Sequence, residues 1–118
     1  MAPSILLVDD DPDIREVLTD LLEYHGYRVD SVSTGAQAIE KAQVDRFSTV
    51  ILDLSLPDAD GMAVLRVLQE RVPATPILIL TGSDQKATAL HNGAFAFLLK
   101  PWNRDELLGV LSRAMATA

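Results

Sequence analysis

Cysteine is absent from the 118 residues, which removes disulfides, thiolate nucleophiles and cysteine-ligated zinc from consideration. Histidine is scarce: His25 and His91 lie far apart, and neither has a ligand pattern beside it. Long apolar runs are missing as well. The first, residues 5–8, meets three acids at once and is too short for a signal-peptide core or a membrane span. A cytoplasmic location without membrane contact is therefore expected. Positive charge is the minority, with 10 Lys and Arg against 17 Asp and Glu and a net charge of −7, which argues against nucleic-acid binding by this segment. Neither the phosphate-loop motif nor the dinucleotide glycine motif occurs.

What is present is a globular composition, 48% hydrophobic and 23% charged, in one domain expected to span residues 1–118. Strand-like and helix-like segments alternate along it. Residues 5–8 are a continuous apolar strand of the kind covered on both faces. Asp11 then caps a helix with Pro12 at its first position, and Ile14, Val17, Leu18, Leu21 and Leu22 form its apolar stripe until Gly26. Residues 28–33 are a more polar strand, placed at a sheet edge, and 36–43 a short helix. The pattern repeats: a strand over 49–53, a helix over 62–71, a strand from Pro76 to a close at Thr81, a helix over 84–92, and a strand over 95–99. Asn103 with Glu106 has the form of a capping box for a last helix. Five such units imply a parallel sheet with helices on both faces.

In an open parallel α/β sheet, ligands bind outside the carboxyl ends of the strands. Those ends carry Asp9 and Asp10 after the first strand, Asp53 after the third, Thr81 after the fourth and Lys100 after the fifth. Carboxylates gathered so closely raise one another's pKa unless a cation sits among them. Mg²⁺, which keeps several waters and needs few protein oxygens, suits such a site. A carboxylate beside it, with Thr and Lys to hold oxyanions, fits a phosphoryl acceptor.

The segments LLVDDDP, VILDLSLPDADG, PILILTG and FLLKPW resemble the receiver domains of two-component response regulators, of the chemotaxis-regulator type, and the resemblance covers essentially the whole chain. It implies a single doubly wound (βα)5 domain with a parallel sheet in the order 2-1-3-4-5. By position it makes Asp53 the phosphorylated residue, with Mg²⁺ held by Asp10 directly, by Asp9 mainly through water, by Asp53 and by the backbone carbonyl of Ser55. Thr81 would bind a phosphoryl oxygen and Lys100 would pair with Asp53 or the phosphate. Lys100-Pro101 matches the family's cis peptide bond and Phe97 its rotating aromatic residue. Asp58 and Asp60 are read as turn acids. Ser55 and Ser83 fall on the path of the hydrolytic water. The implied partners are a sensor histidine kinase or phosphotransfer protein and an output protein or attached effector domain of unknown identity. The domain would assist its own phosphorylation and turnover without being an enzyme toward other substrates.

Other classes sharing the topology fit less well. A flavodoxin-type protein needs a Gly/Ser/Thr-rich phosphate loop after the first strand, where this chain has Asp9-Asp10-Asp11. A haloacid-dehalogenase-type phosphatase needs an acid two residues after the nucleophile, where this chain has Ser55. A receiver-shaped interaction module independent of phosphorylation usually lacks an acidic or Lys position, and none is missing. One departure stands out: between Thr81 and Lys100 the chain is about one helical turn, roughly three residues, shorter than most receivers. The fourth helix should therefore be short. Phe95, on the same side of its strand as Phe97, would either fill the vacated space or recast the output face.

Overall fold

Five strand segments, four of them apolar and each followed after a turn by a helix, define the elements of the computed structural model, which describes residues 2–117. Met1 and Ala118, the ends of the expected 1–118 unit, lie outside the described residues. The order is β1 (Ser4–Val8), α1 (Pro12–Tyr24), β2 (Arg28–Val32), α2 (Gly35–Val44), β3 (Thr49–Leu52), α3 (Gly61–Arg71), β4 (Ile77–Thr81), α4 (Lys86–His91), β5 (Ala96–Leu99) and α5 (Arg104–Thr117). All strand pairs are parallel, in the order β2-β1-β3-β4-β5. β1, β3 and β4 are buried along their whole length, whereas every residue of β2 is half-buried or exposed, as on an edge strand.

Period-two alternation sends each strand's side chains into two cores. Leu6, Val8, Val50, Leu52, Ile77 and Ile79 pack with Ala38, Met62, Val64, Leu65 and Leu68, so α2 and α3 cover that face. Ile5, Leu7, Ile51, Leu78 and Leu80 pack with Leu18, Leu22, Leu107, Val110 and Leu111, so α1 and α5 cover the other. Each leucine so enclosed contributes about 1.5–3 kcal/mol over leaving it in water. Trp102 joins the α1/α5 core from its edge.

Local chemistry sets the helix ends. The Asp11 carboxylate accepts the Asp13 N–H at 2.9 Å with Pro12 at the first position. α1 ends at Tyr24, with His25 as its C-cap and then Gly26, whose φ of +90° suits a residue without a Cβ. Asn103 caps α5 by accepting the Glu106 N–H at 2.9 Å. Some expectations shift. Val17 is 54% exposed rather than part of the buried stripe, because it is rotated by about 100° from Leu18 and falls off the stripe's margin. α4 runs for only six residues, shorter than the expected 84–92. Its lead-in is tied into a turn of its own, with the Gln85 side-chain amide donating to the Ser83 hydroxyl at 2.7 Å and the Gln85 N–H to the Ser83 carbonyl at 3.1 Å.

Candidate functional site

The register of the sheet decides which strand ends meet. Val8 pairs with Leu52, so the residues that follow, Asp9 and Asp53, emerge side by side, and the Asp53 N–H donates to the Val8 carbonyl at 2.9 Å. Thr81 pairs with Leu99, and the Lys100 N–H donates to the Thr81 carbonyl at 2.8 Å. Lys100 thus leaves β5 at the same rim. Its Nζ donates to Asp9 Oδ2 at 2.7 Å and to Asp53 Oδ2 at 3.0 Å. The Lys100–Pro101 peptide bond that follows is cis.

Three strand ends use the same turn. Asp9 Oδ1 accepts the Asp11 N–H at 2.9 Å, Asp53 Oδ1 accepts the Ser55 N–H at 3.0 Å, and Thr81 Oγ1 accepts the Ser83 N–H at 3.3 Å. A side-chain oxygen bonded two residues ahead is a local closure that short polar residues make readily. Here it aims each group without help from elsewhere in the fold. Both carboxylates then have one oxygen held by backbone and the other by Lys100. Thr81, fully buried, accepts through its oxygen and keeps its proton to donate.

Asp10 completes the group. It is exposed and makes none of the side-chain hydrogen bonds among the described residues, yet Asp9, Asp10 and Asp53 each offer an oxygen within 4.8 Å of the others. Three hard oxygen donors, one of them open to water, fit a hard divalent cation that retains waters.

Charge in this cleft is shared unequally. Asp9 is 2% exposed, and burial pushes its carboxyl above the usual range, although the Lys100 hydrogen bond and the Asp11 N–H pull it down. Burial also works against the Lys100 ammonium, but its hydrogen bonds to Asp9 and Asp53 outweigh it and hold the group above its ordinary value. The two directions are compatible because burial dominates at Asp9, whereas at Lys100 two acid partners together outweigh burial.

Two contacts had no signal in the sequence pattern. Arg15, one turn into α1, donates from Nη1 to the Asp9 carbonyl at 2.8 Å and braces the acidic loop. Gly61, at the start of α3, lies against the backbone of Leu54: a Cβ there would meet the Leu54 Cα at 2.2 Å. The loop after Asp53 can fold back only because that side chain is missing. Asp60 is the N-cap of α3, accepting the Met62 N–H at 3.0 Å. Phe97 is partly buried against the α2/α3 core. Phe95 remains 36% exposed, with Leu90 at 41% and Leu99 at 45%.

The family model of the response regulator receiver domain matches residues 5–112. The chain belongs to that family. Among curated relatives of this receiver, the C4-dicarboxylate transport transcriptional regulatory protein DctD of Rhizobium meliloti is 33% identical over 116 residues, which are 96% of this chain and 25% of that protein. Response regulator MprA of Mycobacterium ulcerans is 38% identical over 111 residues, 92% of this chain and 48% of that protein. The receiver thus spans between a quarter and a half of the length of these relatives. Among solved structures, the receiver domain of the sensor histidine kinase PA1611 from Pseudomonas aeruginosa, which has a magnesium ion coordinated in its active-site cleft, aligns with a TM-score of 0.90 at 31% identity, covering 98% of this chain and 99% of that one. A CheY-like receiver from Methanospirillum hungatei aligns with a TM-score of 0.94 at 28% identity, covering 98% and 95%.

Proposed function

We propose that the chain, taken as one receiver domain over residues 1–118, is a phosphorylation-controlled signalling switch that accepts a phosphoryl group onto Asp53 from a phosphohistidine. The observation that carries this reading is the bridge from Lys100 to both Asp9 and Asp53, with Asp10 open beside it. An Asp53 carboxylate oxygen forms a bond to phosphorus as the phosphorus–nitrogen bond breaks, the electron pair leaving with the imidazole. Lys100 stabilises the charge that develops on the phosphoryl oxygens, and the Thr81 hydroxyl donates to one of them. When bound, Mg²⁺ would neutralise the same oxygens, held by Asp10, Asp53 and the Ser55 carbonyl directly and by Asp9 through water. The product is an acyl phosphate that water cleaves, so the domain turns over its own modification and acts on no other substrate. Thr81 moving toward the phosphoryl group opens room for Phe97 to turn inward, biasing a two-state equilibrium read by an output protein or attached effector domain.

The phosphodonor is a sensor histidine kinase or phosphotransfer protein of the cytoplasm, and the net charge of −7 argues against nucleic-acid contact by this domain. Incubation with a small acyl phosphate and Mg²⁺, followed by intact-mass spectrometry, should show a single phosphoryl adduct. The adduct should be lost in Asp53→Asn and on chelation. Asp10→Asn should weaken Mg²⁺ binding strongly and Asp9→Asn less. Equal labelling of Asp53→Asn would overturn the assignment.

A further inference from the structure

We propose that Asp58 is a positioning residue for the metal side of this site, fastening the loop between β3 and α3 to the N-terminus of α2; this rests on the functional reading above. Asp58 stands at the far reach of that loop, and each of its carboxylate oxygens takes one helix N–H. Oδ1 accepts from Gly35 at 2.8 Å and Oδ2 from Ala36 at 3.0 Å. Thr34, the N-cap of α2, accepts the Gln37 N–H at 3.1 Å through its own hydroxyl. The three first-turn donors of α2 that lack carbonyl partners within the helix are therefore all satisfied, two of them by a residue 22 or 23 positions away. A carboxylate at a helix N-terminus is also favoured by the helix dipole. The Gly35 and Ala36 N–H groups hold the Asp58 carboxyl below its ordinary value, as expected of an acid that gains hydrogen bonds in its charged form.

The packing is close as well as polar. A Cβ on Gly35 would meet Val64 Cγ2 at 2.7 Å and the Ala59 Cβ at 3.2 Å, so α2 starts directly against the loop and α3. At the loop's base, the Ser55 N–H is spent on Asp53, Ser55 and Asp60 form an antiparallel bridge, and the Gly61 N–H donates to the Leu54 carbonyl at 3.1 Å. Between these ties the chain passes through Pro57 to Asp58. Among the described residues, no other side-chain hydrogen bond joins residues 54–60 to an element beyond β3 and α3. The carbonyl of Ser55 has no side-chain torsion to adjust; its aim is set by this loop backbone alone. A small cation that demands near-ideal geometry is sensitive to such aim, so Asp58 stabilises the metal-ready form of the loop while standing outside the ligand set.

The test is the Mg²⁺ dissociation constant, by calorimetry with the metal alone, for wild type, Asp58→Ala, Asp58→Asn and Thr34→Ala, with hydrogen exchange of the 54–57 amides as a second readout. Thr34→Ala removes the cap that α2 supplies for itself and leaves the tie to the loop in place, so it reports what loosening α2 does alone. Asp58→Ala should weaken Mg²⁺ about fivefold, less than the ~10–100-fold seen for groups bonded directly to a metal ligand. Asp58→Asn, which keeps one acceptor, should fall between it and wild type. Thr34→Ala should stay within about twofold of wild type despite its lost cap. Loop amide exchange should quicken in Asp58→Ala and not in Thr34→Ala. Wild-type affinity in Asp58→Ala, or an equal loss in Thr34→Ala, overturns the inference. A wild type that neither binds Mg²⁺ nor labels at Asp53 overturns the functional reading and the inference with it.

Discussion

Replacing Lys100 with methionine separates the cation of the site from its packing, since most of the side-chain stem is kept. In the wild type the ammonium lies 2.7 Å from Asp9 and 3.0 Å from Asp53. Those two residues are 2% and 4% exposed, so neither can turn outward to water. Without the ammonium, carboxylate oxygens within 4.8 Å of each other repel by about 3.5 kcal/mol or more at an effective dielectric near 20. The Lys100 side chain is 21% exposed, so water replaces part of what is lost. The expected loss is about 2–3 kcal/mol, below the ~3–5 kcal/mol of a fully buried pair broken on one side.

The sign with pH follows from the shifts. Asp9 is raised above the ordinary 3.8, so the stability contributed by its protonated form is present below 3.8 and lost as the pH rises through the folded value. Repulsion in the variant grows with the same ionisation, and the deficit should be largest near neutrality and shrink as the pH is lowered. Lys100 is raised above 10.5, so in the wild type its contribution holds below 10.5 and is lost as the pH rises past the folded value. Urea unfolding in chelator at pH 7 should show a lower midpoint with an unchanged slope, and millimolar Mg²⁺ should recover more stability in the variant than in the wild type. Equal midpoints at pH 7, or a deficit that persists undiminished at about pH 4.5, would refute the shared-cation account.

Gly61→Ala should destabilise by at least the ~1–3 kcal/mol of an overpacked site, because its Cβ would meet the Leu54 backbone; Gly82→Ala, with open space around it, should be neutral or stabilising by about 0.4–1 kcal/mol, both by urea unfolding. Ser55→Asn combined with Ser83→Glu should speed loss of the Asp53 phosphoryl group in a single-turnover decay assay, since a carboxamide and a carboxylate orient water better than two hydroxyls; a double variant no faster than wild type contradicts this. With α4 only six residues long, its own Leu90 exposed, and Phe95 and Leu99 exposed in the segment that follows, beryllofluoride-loaded protein should remain monomeric in light scattering. A dimer through this face that survives Phe95→Ala unchanged would show the short helix to be without consequence for output.

Local chemistry already determined much of this receiver. Alternating strand-like and helix-like segments place the five units, Asp11-Pro12 and Asn103 place two helix starts, and an acid, a hydroxyl and a lysine at consecutive strand ends mark the rim. These features were legible because each depends on residues a few positions apart. Val17 departs from the expected stripe because a helix stripe has a margin that periodicity alone does not draw. The rest depended on residues far apart in sequence. Register brought Asp9 beside Asp53, and only then could Lys100, 91 positions from one and 47 from the other, be divided between them. Nothing near Asp58 shows that its partners are the amides of Gly35 and Ala36, and nothing near Gly61 shows that it must clear Leu54. Backbone amides carry no signature in sequence and close approach has no residue type of its own, so these contacts exist only once the sheet has set its helices side by side.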